Sequence, residues 1–458
     1  MPPRSVVGLS IAHLTLAAFV LAGLFLTVHN RQVDAEAFET TWVETGVHQD
    51  PWTPLVRNWG EEGWLAHGGL WRLNEDPEFR RWIDDRSVDI EPWMDPETFD
   101  PEVPHYYRSN TALFVLPLVA TRTALSPLVS EDSRLPNAIH SQLLLAAAAV
   151  ATGLLVHRLS RISGADRGSA VALGLAGQLV FQTNAINLAA YWRHFPQQLF
   201  VIGLALFLLA IAFGDDRRRL AGGLRLAAVL MMAVADLPHT AATLAAWAIA
   251  AGLLDRREFR PDRLWRTLAP VVAVGVVAAT QFLVAIRTHP EAVFVGSGPL
   301  FRSGLDGDLA HYRGLLDGYG KLLVGPVLEG AGVAGTGVLL WGVAILAIPL
   351  TLLAASRLPR LRPSCLPLAV GGGGFLLFAS AFSNAFAIHP FAYSTLLLAP
   401  AIAAIFGSWA GALEAATGRG RTIALLATAA AIFIAMSQLR EFAVAYPIAS
   451  DQRLIPIS

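Results

Sequence analysis

Residues 196–225 read PQQLFVIGLALFLLAIAFGDDRRRLAGGLR. Nothing from Pro196 to Gly214 is charged, and the run ends at Asp215, Asp216, Arg217, Arg218 and Arg219. At 1.5 Å rise per helical residue, a run of this length crosses a hydrocarbon layer of about 30 Å. A second apolar run, near 222–237, follows within a few residues, with Arg225 near its start and Asp236 near its end. The repeating unit is therefore an apolar helix, a short arginine-rich turn and a returning helix.

The same unit recurs outward in both directions. Apolar runs lie near 6–28, 137–156, 168–187, 196–214, 222–237, 240–254, 267–286, 333–355, 366–384, 391–413 and 422–438. That makes about eleven crossings. The stretch Asp236–Thr240 leaves two readings open, two short spans or one long kinked one. The whole chain agrees with a membrane protein. Of its 458 residues 54% are apolar and 15% charged, against about 25% charged in soluble domains. A net charge of −1 gives no general basic field for nucleic acid. The one cysteine, Cys365, rules out an internal disulfide and a multi-cysteine metal site. The run Val6–Val28 is too long for the core of a signal peptide and reads as a retained first helix.

Arginine placement orients the chain. The turns 157–167, 215–225, 255–266, 357–362 and 418–421, together with Arg4, hold 18 of the 34 basic residues. The alternate turns 188–195 and 385–390 hold only Arg193. By the positive-inside rule the arginine-rich turns and the N-terminus are cytoplasmic. The expected organisation is a first span at 1–28, an outer segment at 29–136, spans at 137–286, a second outer segment at 287–332, spans at 333–438 and an outer tail at 439–458. The small-residue runs Gly332–Gly337 and Gly371–Gly374 read as sites of close helix packing.

The first outer segment has a distinct composition. Residues 31–110 carry 18 acidic residues against 7 arginines, and they include seven tryptophans, Trp42, Trp52, Trp59, Trp64, Trp71, Trp82 and Trp93. A solvated loop accounts for the acids but not for the tryptophans. Packing, a place at the membrane interface and stacking on sugar faces all remain open for them. The stretch Thr111–Leu125 is too short to cross and reads as a helix lying in the outer interface.

One helix, a long acidic outer segment, an interfacial helix after Tyr106-Tyr107-Arg108-Ser109, and then alternating spans together resemble the GT-C class of membrane glycosyltransferases. Gly63-Trp64-Leu65-Ala66-His67-Gly68-Gly69-Leu70 is similar to the first outer loop of that class. Ile388-His389-Pro390-Phe391-Ala392-Tyr393 looks like the start of one of its later helices. The resemblance implies an all-α polytopic fold. It also implies transfer of a sugar, with inversion, from a polyprenyl-phosphate donor to a glycan, lipid or protein acceptor at the outer face of the cell membrane. It further implies sugar or acceptor contacts from Trp52, His67, Tyr107 and Arg108.

Such a transfer needs a carboxylate to deprotonate the acceptor hydroxyl and cations to stabilise the departing phosphate. The class places its base early in the first outer loop, which implies Asp50, ahead of Pro51 and Trp52, with Asp34 and Glu36 as alternatives. Arg302 in the second outer segment is a candidate bidentate grip on phosphate, and a lipid headgroup or carboxylate partner is its simpler role. Arg193 and His194 at one outer turn, and His389 at another, are further phosphate candidates. Asp306 and Asp308 flank Gly307. A turn is the simpler reading, and a hook for a divalent cation such as Mg²⁺ or Mn²⁺ is the functional one. Asp236 and His239 stand three apart inside an apolar stretch, where ionisable groups pair or function. The competing reading is a transporter or flippase of a lipid-linked or acidic solute. It predicts inverted repeats and polar groups at mid-membrane, and no clear repeat is present. An outer-face glycan polymerase or ligase would be expected to carry its largest outer loop later in the chain.

Overall fold

The structure, a computed structural model, describes residues 4–24, 70–72, 103, 105–107, 112–128, 135–184, 187–188, 196–295, 346–381 and 390–445. Helices dominate it: α1 (Arg4–Leu24), α2 (Leu116–Leu125), α3 (Leu135–Ser163), α4 (Arg167–Thr183), α5 (Pro196–Phe213), α6 (Arg218–Ala235), α7 (Leu237–Leu254), α8 (Pro261–Thr288), α9 (Arg362–Ala381), α10 (Pro390–Thr417) and α11 (Gly420–Ala445). Residues 346–354 are helical as well. Where the apolar runs of the sequence fall among the described residues, they are mostly helical.

Among the described residues, five helical stretches are long and apolar enough to cross a bilayer: Ile139–Ser163, Leu237–Leu254, Pro261–Thr288, Pro359–Phe378 and Gly420–Arg440. Val272, Val276 and Leu283 on α8, and Leu425, Phe433 and Met436 on α11, are 60–75% exposed. Side chains this apolar, ranked along two neighbouring turns of helix after helix, belong against lipid rather than water. Apart from one small sheet, this is an all-α membrane protein.

The helix quoted at the outset is the centre of the bundle. α5 packs against α3, α6, α9 and α10, and its Phe200, Phe207 and Leu208 are fully buried. A helix apolar on every side needs neighbours on every side.

α1 is clamped to α4 by two glutamines. Gln178 Nε2 donates to the His13 carbonyl at 2.9 Å, and Gln182 Nε2 donates to the Ala17 carbonyl at 3.2 Å. The ring of His13 meets Gln178 Oε1 at 2.5 Å. Both partners advance by four residues in the same direction, so α1 and α4 run parallel. The start of α1 therefore shares an end of the bundle with the turn before α4.

That end gathers the arginine-rich turns. Arg158 at the close of α3 pairs with Asp216 after α5 at 2.5 Å. Arg263 on α8 pairs with Asp215 at 2.7 Å. The Asp166 amide donates to Glu414 Oε1 of α10 at 2.8 Å. Four turns that the sequence assigned to one side are thus in physical contact.

Asp166 also caps α4. Its Oδ1 accepts from the Ser169 amide at 3.0 Å and its Oδ2 from the Ser169 hydroxyl at 2.9 Å. These hydrogen bonds hold its carboxyl down to about 2, from an ordinary 3.8. A depressed carboxylate contributes stability above its unfolded value and loses it as pH falls through the folded one. The first turn of α4 is therefore expected to hold above pH 3.8 and to loosen as pH approaches about 2. Hydrogen exchange at the Ser169 and Ala170 amides checks this. Asp166→Ala should show fast exchange already at neutral pH, at a cap cost of about 0.5–2 kcal/mol.

The Gly371–Gly374 run lets α9 approach its neighbours, as its small residues predict. A Cβ added at Gly374 would lie 3.0 Å from both the Cα and the Oγ1 of Thr243 on α7. Gly374→Val is expected to destabilise the protein by about 1–3 kcal/mol through overpacking. Gly275→Ala, where a Cβ meets nothing within 4 Å, should not destabilise it. Thermal unfolding of the two variants in the same detergent compares them.

Candidate functional site

The opposite end of the bundle begins with a small sheet. β1 (Trp71–Arg72) pairs antiparallel with β2 (His105–Tyr107), and β2 pairs parallel with β3 (Val293–Val295). Tyr107 stands between Trp71 and Val295 in register. Aromatic and β-branched residues favour this pleated pairing. The sheet joins two parts of the first polar segment to the beginning of the second. In sequence, β3 leads directly into Gly296 and the stretch containing Arg302, Asp306 and Asp308.

The helix ends at this end of the bundle carry buried polar groups of a particular kind. His140, Ser141 and Gln142 lie in the first turns of α3, Asn184 follows α4, Gln198 opens α5, Gln281 is near the end of α8 and Gln438 near the end of α11, and all are buried. Some are matched to one another. Asn184 Nδ2 donates to Gln438 Oε1 at 3.2 Å, and Thr121 Oγ1 on α2 meets His140 Nδ1 at 3.1 Å. Both amide atoms of Gln142 and of Gln281 have no hydrogen-bond partner among the described residues. A buried amide without a partner costs about 1–3 kcal/mol, so these two mark places where another group is required.

Asp236 separates α6 from α7, and two helices replace the single kinked one that the sequence left open. Its backbone is extended, at φ −161° and ψ 107°. Oδ1 accepts from the His239 amide at 3.1 Å, and Oδ2 meets His239 Nδ1 at 2.5 Å. The Asp236 carbonyl accepts from Thr240 Oγ1 at 2.6 Å. The His239 ring stacks on Phe378 of α9 at 3.2 Å between centroids and lies 5.5 Å from Phe200 of α5. Asp236 and His239 are 5% and 3% exposed. The pair is thus both a helix cap and the polar junction of three helices.

α2 supports the same end. Phe114, Val115 and Leu118 are buried while Leu116 is 46% exposed. Its ten residues reach about 15 Å, too short to cross, and it packs on α3.

Of the candidate residues read from sequence, Tyr107 is placed, in β2. Asp34, Glu36, Asp50, Trp52, His67, Arg108, Arg193, His194, Arg302, Asp306, Asp308 and His389 lie outside the described residues. Among the described residues no group of three His, Cys, Asp or Glu side chains has the arrangement to hold a metal ion. Gln142, Gln281 and the Asn184–Gln438 pair were missed in the sequence reading. Their signal was a lone amide interrupting an apolar run.

No protein-family model matches this chain, and comparison with curated proteins and with solved structures gives no match either.

Proposed function

We propose that the protein is a polytopic glycosyltransferase of the cell's inner membrane. It moves a sugar from a polyprenyl-phosphate donor to an acceptor hydroxyl on a glycan, lipid or protein at the outer face. In this reading the chain crosses the membrane about eleven times, its N-terminus and arginine-rich turns are cytoplasmic, and the sheet end is the catalytic end. Asp50 is the general base, with Asp34 and Glu36 as the alternative. Arg302, Arg193, His194 and His389 receive the phosphate. Trp52, His67, Tyr107 and Arg108 hold the sugar or acceptor, and Asp306 with Asp308 is the place for a divalent cation such as Mg²⁺ or Mn²⁺.

One observation carries the reading. β2 ties the acidic, tryptophan-rich first segment to the start of the second segment, where the candidate phosphate-binding arginine stands. A carboxylate from one and a cation from the other are what displacement of a lipid phosphate requires. The amides of Gln142 and Gln281 at the same end, without partners among the described residues, are further candidate donors and acceptors.

The test is release and transfer of radiolabelled sugar from a panel of polyprenyl-phosphate sugars by purified protein in detergent, with and without EDTA. Transfer by wild-type protein supports the reading, and EDTA sensitivity assigns the cation. The second reading is transport or flipping of a lipid-linked or acidic solute, and the buried Asp236–His239 pair at the junction of three helices favours it, since ionisable groups buried among membrane helices mark solute and proton paths. Donor that moves across liposomes with no transfer on any member of the panel would establish it instead.

A further inference from the structure

The arginine-rich end carries a pocket of its own, far from the sheet. It lies between the start of α6 and the start of α8, opens to solvent, and is lined by Arg218, Gly222, Arg225, Asp262, Arg263 and Arg266 among others.

Its charges do not cancel. Glu258 binds Arg225 Nη2 at 2.5 Å and also binds Arg263 Nη1. Asp215 is shared by Arg263 and Arg260 at 2.7 and 2.9 Å. Asp262 takes Arg218 at 3.0 Å. Three carboxylates thus serve four guanidinium groups, and Arg266 makes five. Arg225 is 2% exposed, yet its Nη1 is buried without a hydrogen-bond partner among the described residues. A buried charged donor left unmatched calls for an acceptor nearby. The guanidinium of Arg266 lies directly against Gly222, in space that a Cβ would fill. Glycine at that position is what admits the second cation to the pocket.

The surface leading away from the pocket is apolar. Leu226 and Leu230 on α6, and Leu268, Val272 and Val276 on α8, are 43–62% exposed at helical spacing. Trp265, beside Arg266, is 71% exposed, as an aromatic at a membrane–water boundary would be.

We propose that this pocket binds a phosphate group, with Arg225 and Arg266 as its principal donors. An excess of two positive charges matches one phosphomonoester dianion, and planar guanidinium groups suit phosphate oxygens. The phosphate is that of an anionic lipid whose chains lie along the α6 and α8 ridges, or a free phosphate from solution. The site does not depend on the transferase reading.

The test is native mass spectrometry of the purified full chain titrated with phosphatidic acid, with phosphatidylcholine as the neutral lipid, and with inorganic phosphate. Wild-type protein should bind phosphatidic acid over phosphatidylcholine. Arg266→Gln should weaken that binding about tenfold or more, the loss of one charge-assisted contact. Arg287→Gln removes the same charge at the other end of α8 and should bind as wild type. Because Arg225 is buried and its loss can impair folding, Arg266→Gln is the deciding variant. Binding of phosphatidic acid that inorganic phosphate fails to displace identifies a lipid source. Phosphate binding that depends on Arg266 without any lipid preference identifies a soluble one. Equal binding by wild type and Arg266→Gln, or equal weakening by Arg287→Gln, overturns the proposal.

Discussion

Glu258→Ala is expected to lower the stability of the folded protein by about 3–5 kcal/mol. Glu258 sits in a 3₁₀ turn, Arg256–Phe259, between α7 and α8. Its side chain is 1% exposed and holds two arginines at once, one of them 3% exposed. Trp247 Nε1 donates to the same carboxylate at 3.2 Å. Alanine would leave Arg225 and Arg263 facing each other without their shared counter-charge, and two buried like charges repel in a medium of low dielectric. Arg263 keeps Asp215. Arg225 keeps its approach to the rings of Phe207 and Trp247, at 5.6 and 5.9 Å, and the attraction of Asp262 across the pocket. Most of the loss therefore falls on Arg225. Glu258→Ala with Arg225→Met should recover much of it, because an apolar residue of similar size needs no counter-charge. Unfolding by denaturant in mixed micelles measures both variants. Equal destabilisation by the single and double changes would mean that packing, not charge, holds this corner.

The helices were legible because lipid imposes a simple rule on a sequence. A backbone in hydrocarbon must satisfy its own hydrogen bonds, so each long apolar run becomes a helix, and the runs on either side of Gly214 became α5 and α6. Among the described residues five stretches meet a strict span requirement. The arginine turns were read as a label of side. The structure adds that they are also a connected network, in which Arg225 and Glu258 are buried. Nothing in Asp255-Arg256-Arg257-Glu258-Phe259-Arg260 distinguishes Glu258 from its neighbours before folding. The sheet was illegible for another reason. Strands of two and three residues have no period to detect, and β2 with β3 pairs residues almost two hundred positions apart. Composition alone drew notice to the first polar segment. Tyr107 is the one candidate site residue that the described structure carries.

Under the proposed transferase function, Asp50→Asn is expected to reduce sugar transfer by about 10²–10⁴-fold in kcat/KM, the usual contribution of a general base. An acceptor hydroxyl is a poor nucleophile until its proton leaves, and a carboxylate that receives the proton in the transition state lowers that barrier. Asparagine keeps the shape and the hydrogen-bonding capacity of the side chain and removes only its basicity. Asp34→Asn and Glu36→Gln should retain transfer within a few-fold, because in the proposed reaction one carboxylate takes the proton and that carboxylate is Asp50. The pH profile separates a base from a merely structural acid. Wild-type kcat/KM should fall on the acid side as the carboxylate is protonated, and the residual rate of Asp50→Asn should lose that limb. Donor binding, measured without acceptor, should survive in Asp50→Asn, since the base touches the acceptor and not the phosphate. A collapse of transfer in Asp34→Asn with Asp50→Asn unaffected would move the base to the earlier acids. Loss of donor binding in Asp50→Asn would instead make Asp50 part of the donor site.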